Sequence, residues 1–287
     1  MSLSIALIGF GEAGSTFARA GAWGPRSAAF DIAPARTATM VEHGVLPCTS
    51  VAQALDGAAL VLSLVTADQA LAVARQCAAL IAPEALFCDM NSVAPGTKRA
   101  GAEAFTAAGK RYVDVAIMAP VNPARMAAPI NISGPDAAEA KDALSALGFQ
   151  RIAVVGDSIG RASAIKLVRS VMVKGLEALT AEMMLAAHAE GVAGDVLASL
   201  DASEKAIPWA ERADYNLDRM LVHGRRRSAE MAEAATMLRD LGIEPSMTDG
   251  TVRRQQDLGM LDINPPPAGF AAKLDAIASK KSSRGEN

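Results

Sequence analysis

Ser4-Ile5-Ala6-Leu7-Ile8-Gly9-Phe10-Gly11-Glu12-Ala13-Gly14-Ser15-Thr16-Phe17-Ala18-Arg19-Ala20 is the stretch that decides the fold. A short apolar run leads straight into glycines at the spacing Gly-x-Gly-x-x-Gly, and a helical pattern follows at once. Such glycines permit a tight turn, let backbone N–H groups approach a pyrophosphate and let helix and strand pack closely. The helix N-terminus adds partial positive charge. Asp31 closes the next apolar run 20 residues after Gly11, where a carboxylate can accept hydrogen bonds from ribose hydroxyls. The pattern predicts a dinucleotide cradle built on Gly9, Phe10, Gly11, Glu12, Ala13, Gly14 and Asp31. The competing reading keeps the glycines for packing and Asp31 as a turn residue before Pro34; spacing and context favour the cradle. Asp31 would repel a 2′-phosphate, which favours NAD, and Arg36 lies close enough in sequence to soften the preference and admit NADP.

Outward from this segment, short apolar or β-branched runs alternate with Ala-rich helical patterns, the signature of a parallel sheet covered on both faces. The expected strands are Ile5-Ile8, Ala28-Phe30, Leu60-Val65, Leu86-Asp89, Tyr112-Ala116, Ile130-Ser133 and Ile152-Val155. Thr49-Ser50 reads as an N-cap, Pro95 as a first-turn proline, and Asp136 opens a helical stretch to about Leu147. After Gly160 the strand signal disappears. The fold class is therefore an α/β Rossmann-type domain, doubly wound and mostly parallel, over residues 1–157, followed by an all-α domain over 158–278. The helix expected from Ala162 to about Glu190 spans roughly 40 Å, too long for a small domain to bury alone, so a second copy of the chain is the expected cover. Residues 279–287 hold no apolar side chain and are expected to be disordered.

Composition excludes several classes. The chain has 287 residues, 51% of them hydrophobic, which is enough for real cores. Twenty-eight Lys plus Arg against 31 Asp plus Glu leave no electrostatic footprint for nucleic acid. No stretch of about 18 uninterrupted apolar residues occurs, so no membrane partner is expected. Cys48, Cys77 and Cys88 form neither a disulfide framework nor a metal-ligand spacing, which fits a reducing, cytoplasmic setting. With His43, His188 and His223 as the sole histidines, a multi-histidine metal site is not expected, and proton chemistry falls to another side chain.

Four segments resemble the β-hydroxyacid dehydrogenase and 6-phosphogluconate dehydrogenase superfamily: Ile8 to Gly14; Leu62-Ser63-Leu64-Val65-Thr66; Asp89-Met90-Asn91-Ser92-Val93-Ala94-Pro95-Gly96-Thr97; and Gly156 to Lys166. The resemblance covers the N-terminal domain and the first helix beyond it. It implies that Val65, Thr66 and Asn91 run beside the nicotinamide, that Ser92 lines the substrate side, and that Lys166 is the catalytic acid/base. In an open parallel sheet the ligand crevice lies beyond the strand carboxyl ends, where Thr66 and Ser92 should project. A lysine buried beside Ile165, Leu167 and Val168 loses ammonium stability and can exchange a proton near neutrality. Lys166, Ser170, Lys174 and Glu177 also fall at i, i+4, i+8 and i+11, which is equally how a solvated stripe reads; the resemblance favours catalysis.

The chain departs from the family in two places. Ser170 stands where many members carry Asn one turn after the lysine. The family's Ser-Gly-Gly substrate loop is here Asp114-Val115-Ala116-Ile117-Met118-Ala119-Pro120-Val121, which removes donors for a small carboxylate and is similar to the corresponding run of imine reductases. Asp114 and Met118 become candidate substrate contacts. The C-terminal half resembles a subgroup of the superfamily with an Arg-rich helix, here Arg219 to Met231. His223, Arg226 and Arg227 share a helical face able to bind a carboxylate or phosphate, or simply form a solvated charged face.

Together these readings predict an NAD(P)-dependent oxidoreductase. It would interconvert an alcohol and a carbonyl on a small acidic substrate, with Lys166, Ser92 and Ser170 as catalytic residues, in the interdomain cleft of a homodimer. Reduction of C=N bonds is the alternative enzyme reading. A dinucleotide-binding protein without turnover is the non-enzymatic one.

Overall fold

The computed structural model describes residues 4–203 and 206–285. The chain divides into two units, Met1–Val171 and Met172–Asn287. The division falls inside a helix, 14 residues beyond the boundary expected at 157.

The first unit alternates strands and helices: β1 (Ile5–Ile8), α1 (Glu12–Ala20), β2 (Ser27–Phe30), α2 (Arg36–Glu42), β3 (Leu46–Pro47), α3 (Val51–Leu55), β4 (Leu60–Ser63), α4 (Ala70–Leu80), β5 (Leu86–Asp89), α5 (Pro95–Ala107), β6 (Arg111–Ile117), α6 (Val121–Ala124), β7 (Ile130–Ser133), α7 (Ala137–Ala146) and β8 (Ile152–Gly156). Helix α8 (Arg161–Ala189) starts in this unit. The eight strands form one sheet in the order β3-β2-β1-β4-β5-β6-β7-β8. Every pairing is parallel except β6 with β7, so the Rossmann-type, mostly parallel fold class holds. Strand order reverses between β1 and β4, the place where open α/β sheets bind ligands.

Period-two alternation sends the strand side chains to two cores. Leu7, Leu62, Cys88 and Val113 pack on one face with Phe17, Trp23 and Phe149. Ile8, Val61, Phe87 and Tyr112 pack on the other with Val51 and Phe105. Both faces are covered, as the near-continuous apolar strands require. Trp23 is fully buried and its indole N–H donates to the Leu147 carbonyl at 2.9 Å. The expected caps form: Ser50 Oγ accepts the Gln53 N–H at 3.2 Å, and Pro95 opens α5. The fourth strand ends at Ser63 rather than Val65, because the Val65 N–H turns to the Asn91 side chain.

In the second unit, α8 continues and is followed by α9 (Ala193–Ser203), α10 (Trp209–Asp240), α11 (Ser246–Gly259) and α12 (Phe270–Gly285). Helices α10 and α11 touch backbone to backbone: a Cβ on Gly224 would lie 2.3 Å from the Gln255 carbonyl oxygen. The buried Glu182 carboxylate of α8 accepts the amides of Met247 and Thr248, both at 2.9 Å, at the start of α11. Lys273 of α12 pairs with Asp214 and Asp218 of α10. The expectation of a disordered tail from 279 is corrected through Gly285, which ends α12. Alanine and lysine are strong helix formers and extending a helix is easier than starting one. Residues 286–287 lie outside the described residues. Among the described residues no helix is long and apolar enough to cross a membrane.

Candidate functional site

One register row crosses the sheet from Phe30 through Ile8, Ser63, Asp89, Asp114 and Ser133 to Gly156. Gly9, Asp31, Thr66 and Ser92 follow the strands at or just beyond this row. Gly9 follows Ile8 with φ +95°, and a Cβ there would lie 2.4 Å from the Leu64 carbonyl oxygen. Gly14 packs α1 onto the turn, its would-be Cβ 2.7 Å from the Gly9 oxygen. Gly11 caps α1, and a Cβ there would meet nothing within 4 Å. Two glycines therefore close the turn while the middle one faces open space at a helix N-terminus.

Asp31 follows Phe30 and holds the loop from the side. Its Oδ2 accepts the Phe10 N–H at 2.7 Å and its Oδ1 the Ala33 N–H at 2.8 Å. A cavity of about 510 Å³ opens beside it. Of the residues expected to hold the cofactor, Gly9, Gly11, Glu12, Asp31, Val65 and Thr66 line this cavity. Phe10 and Gly14 are buried behind it, and Ala13 packs partly buried against the core. The sequence reading missed Gln69, Val73 and Gln76, which line the wall at i, i+4 and i+7; that spacing on the helix after β4 was the signal. Arg36 lines the same cavity. An open glycine at a helix N-terminus, a carboxylate at the end of the second strand and an adjoining cavity fit the adenosine diphosphate half of NAD.

Asn91 has a different placement from the cofactor contact expected of it. It is buried; its Oδ1 accepts the Val65 N–H at 2.7 Å and its Nδ2 donates to Ser63 Oγ at 2.9 Å. The amide thus fixes the strand end that carries Val65 and Thr66. Ser92, the next residue, is exposed.

Asp114 is likewise not disposed as a substrate contact. It is fully buried, and its oxygens accept from Ser133 at the end of β7 and from Gly160 and Ser163 at the start of α8. Beside it Lys98, 0% exposed, donates to the Asp89 carbonyl at 2.5 Å and to Asp89 Oδ1 at 2.8 Å, and lies 3.5 Å from Asp114 Oδ1. Tyr112 donates its hydroxyl to Asp89 Oδ2 at 2.6 Å. Burial, with the negative charges of Asp89 and Asp114, pushes that phenol far above its ordinary range. Burial also pushes the Cys88 thiol up to about 12, so this cysteine is a small core residue. The sequence reading did not find this network. Its signal was the polar residues within or ending apolar strands, as Ser63, Asp89, Asp114 and Ser133 do.

Lys166 lies on α8, half-buried, between the exposed Ile165 and Val168. The apolar enclosure anticipated from its neighbours is not supplied by those side chains. Ser170 donates its hydroxyl to the Lys166 carbonyl at 2.9 Å. The side chains of Lys174 and Glu177 lie outside the described residues. Met118 is half-buried, its N–H on the Pro129 carbonyl. In the second unit His223 and Arg226 line one cavity of about 350 Å³ with Arg225, which pairs with Asp262 at 2.6 Å. Among the described residues no cluster could hold a metal ion.

Residues 4–156 match the model of the NAD binding domain of 6-phosphogluconate dehydrogenase, and residues 187–258 match a domain of unknown function (DUF1932). The chain is similar to a conserved hypothetical protein from Sinorhizobium meliloti 1021, with 34% identity over 98% of this chain and 97% of that one and a TM-score of 0.62. It is also similar to the conserved protein MTH1747, described as structurally similar to 3-hydroxyacid dehydrogenases, with 30% identity over 96% and 99% and a TM-score of 0.60. An imine reductase variant from Myxococcus stipitatus, in complex with NAD+, shares the fold at 18% identity over 97% and 99%, with a TM-score of 0.73. The domain match spans more than half of the chain, and the glycine loop and Asp31 border one cavity as that domain requires: the chain belongs to the family of the 6-phosphogluconate dehydrogenase NAD-binding domain.

Proposed function

We propose that the protein is an NAD(P)-dependent oxidoreductase that interconverts an alcohol and a carbonyl on a small acidic substrate. The observation that carries this reading is the register row: the glycine loop, Thr66 and Ser92 follow the strand ends at its level, and Asp114 in the same row holds the start of the helix that bears Lys166. The bound cofactor supplies the hydride-carrying nicotinamide. The loop amides and the α1 N-terminus hold the pyrophosphate; Asp31 accepts the ribose hydroxyls; Val65 and Thr66 border the nicotinamide side. Lys166 Nζ gives or takes the proton at the carbinol oxygen. Ser92 and the oxygen of Ser170 orient the substrate, and Met118 adds apolar surface. His223 and Arg226 are the anion-binding pair of the helical unit.

A second reading, reduction of a C=N bond, is favoured by the apolar run Ile117-Met118-Ala119-Pro120 and by the fold shared with imine reductases. We further propose a cytoplasmic homodimer formed through the helical domain. Its support is the exposed apolar row Met172, Leu176 and Leu179, at i, i+4 and i+7 on one face of α8, apolar surface of the kind that marks interaction sites. Sedimentation equilibrium tests the assembly: a monomer at micromolar concentration removes it.

The functional test is oxidation of NADH and NADPH against aldehydo acids, keto acids and cyclic imines. Turnover of a carbonyl acid is the expected result. Turnover of imines alone selects the second reading, and cofactor binding without any turnover overturns both.

A further inference from the structure

Helix α8 begins inside a buried hydrogen-bond set contributed by strands 29 to 49 residues earlier in the chain. Asp114 Oδ2 accepts the N–H groups of Gly160 and Ser163, both at 3.1 Å, and Oδ1 accepts the Ser163 hydroxyl at 2.6 Å. Ser133 Oγ accepts the Ala162 N–H at 3.0 Å and donates to Asp114 Oδ2 at 3.2 Å. The Arg161 N–H bonds the Ser158 carbonyl. The first-turn amides that a helix leaves without intrahelical partners are thus met here, with a carboxylate at the positive end of the helix dipole. Gly160 is wedged against α5, where a Cβ would lie 3.1 Å from the Pro95 carbonyl oxygen.

An ordinary cap needs one short polar side chain, which accepts one or two amides. Here a fully buried aspartate is used instead, with Lys98 within 3.5 Å of it. Buried charges carry a desolvation cost that a serine cap avoids. What the arrangement adds is rigidity in rotation and height. Ser163 and Lys166 stand at i and i+3, neighbours on one helical face and about 4.5 Å apart along the axis.

We infer that Asp114, acting through Ser163 and Ser133, is a positioning residue: it fixes the first turn of α8 and thereby places Lys166 for proton transfer. The inference rests on the reading of Lys166 as the acid/base. Asp114 itself touches no reacting group.

The test uses the full chain as wild type, Lys166→Ala, Asp114→Asn and Ser163→Ala. NADH affinity is measured by fluorescence. Acetylation of Lys166 by acetic anhydride, with and without saturating NADH, is read by peptide mass spectrometry and needs no substrate. NADH should protect Lys166 in the wild type. In Asp114→Asn and Ser163→Ala the protection should be lost while the NADH Kd stays within about threefold. On a substrate that is turned over, kcat should fall about ten- to hundredfold with a smaller change in KM. Ser163→Thr, which keeps the hydroxyl, should restore both readouts.

Wild-type protection in both variants overturns the inference, and so does a loss of NADH affinity in step with the loss of protection, which marks a structural role alone. If Asp114→Asn does not fold, Ser163→Ala decides, since it removes a single bond. If the wild type shows no protection and Lys166→Ala keeps full turnover, the functional reading fails and the inference with it. Protection in the wild type that both variants retain sinks the inference only.

Discussion

Replacing Lys98 by methionine removes the one ammonium beside two buried carboxylates while nearly conserving volume. Lys98 is 0% exposed, Asp114 0% and Asp89 2%. Asp114 keeps its bonds to Gly160, Ser163 and Ser133 in the variant. Asp89 keeps the Tyr112 hydroxyl and the Asn91 N–H, but loses the cation that bonds both its carboxylate and its carbonyl. A buried pair broken on one side costs about 3–5 kcal/mol, and a methionine of similar size adds little cavity cost. With a urea dependence of about 2 kcal/mol/M, the unfolding midpoint should fall by about 1.5–2.5 M. The buried Trp23 reports the first unit; Trp209 is exposed and is replaced by phenylalanine in every chain measured. Adding Asp89→Asn to Lys98→Met removes the orphaned charge while the amide can still bond Tyr112 and Asn91, and should recover about half of the loss or more. A midpoint shift below about 0.3 M, equivalent to less than about 0.6 kcal/mol, or no recovery in the double variant, would refute the account of this network.

Three further outcomes follow from the geometry. Gly14→Ala places a methyl 2.7 Å from the Gly9 oxygen, so the NADH Kd should rise about tenfold or more; unchanged binding in a fluorescence titration would contradict the cradle. Burial pushes the Cys77 and Cys88 thiols up to about 12 and also raises that of Cys48, so a disulfide reagent at pH 8 should label Cys48 alone in the native protein and all three cysteines in denaturant. For Glu182, burial pushes the carboxyl up, but the Thr248 hydroxyl and the Met247 and Thr248 amides outweigh it, and the net value lies below the ordinary 4.5. A depressed carboxylate stabilises above its unfolded value and loses that contribution as pH falls through the folded one. Glu182→Gln should therefore melt earlier than wild type near pH 7, with the gap narrowing below pH 4.5; a gap that widens there reverses the sign.

Most of the sheet was legible because its strands are short apolar runs, most of them ended by a glycine or polar residue, and the dinucleotide loop because its glycines have fixed offsets. Strand β3 escaped because two residues, Leu46 and Pro47, pair only with Ala28 and Ala29, too short a run to show alternation. The tail was misread because its charged composition looks like coil when taken apart from the helix it extends. At the site, Gly9 and Gly11 were legible from their fixed offsets and Asp31 from its spacing to them, whereas Thr66 came from the family resemblance; all four line one cavity. Asn91 and Asp114 were recognised as important positions, yet their roles depend on partners distant in sequence: Asn91 holds Ser63 and Val65, and Asp114 holds Gly160 and Ser163. Lys98 gave no signal, because a lysine in a helix reads as solvated until the sheet register sets Asp89 beside Asp114.

The central claim is that Lys166 serves as acid/base beside a dinucleotide held by Asp31 and the glycine loop. Its most direct test is steady-state oxidation of NADH and NADPH by wild type and Lys166→Ala side by side, on the carbonyl acid that gives the fastest turnover, with NADH affinity measured on both. The account predicts that kcat falls by about a hundredfold or more in Lys166→Ala while the NADH Kd holds. Turnover indifferent to the substitution would contradict it.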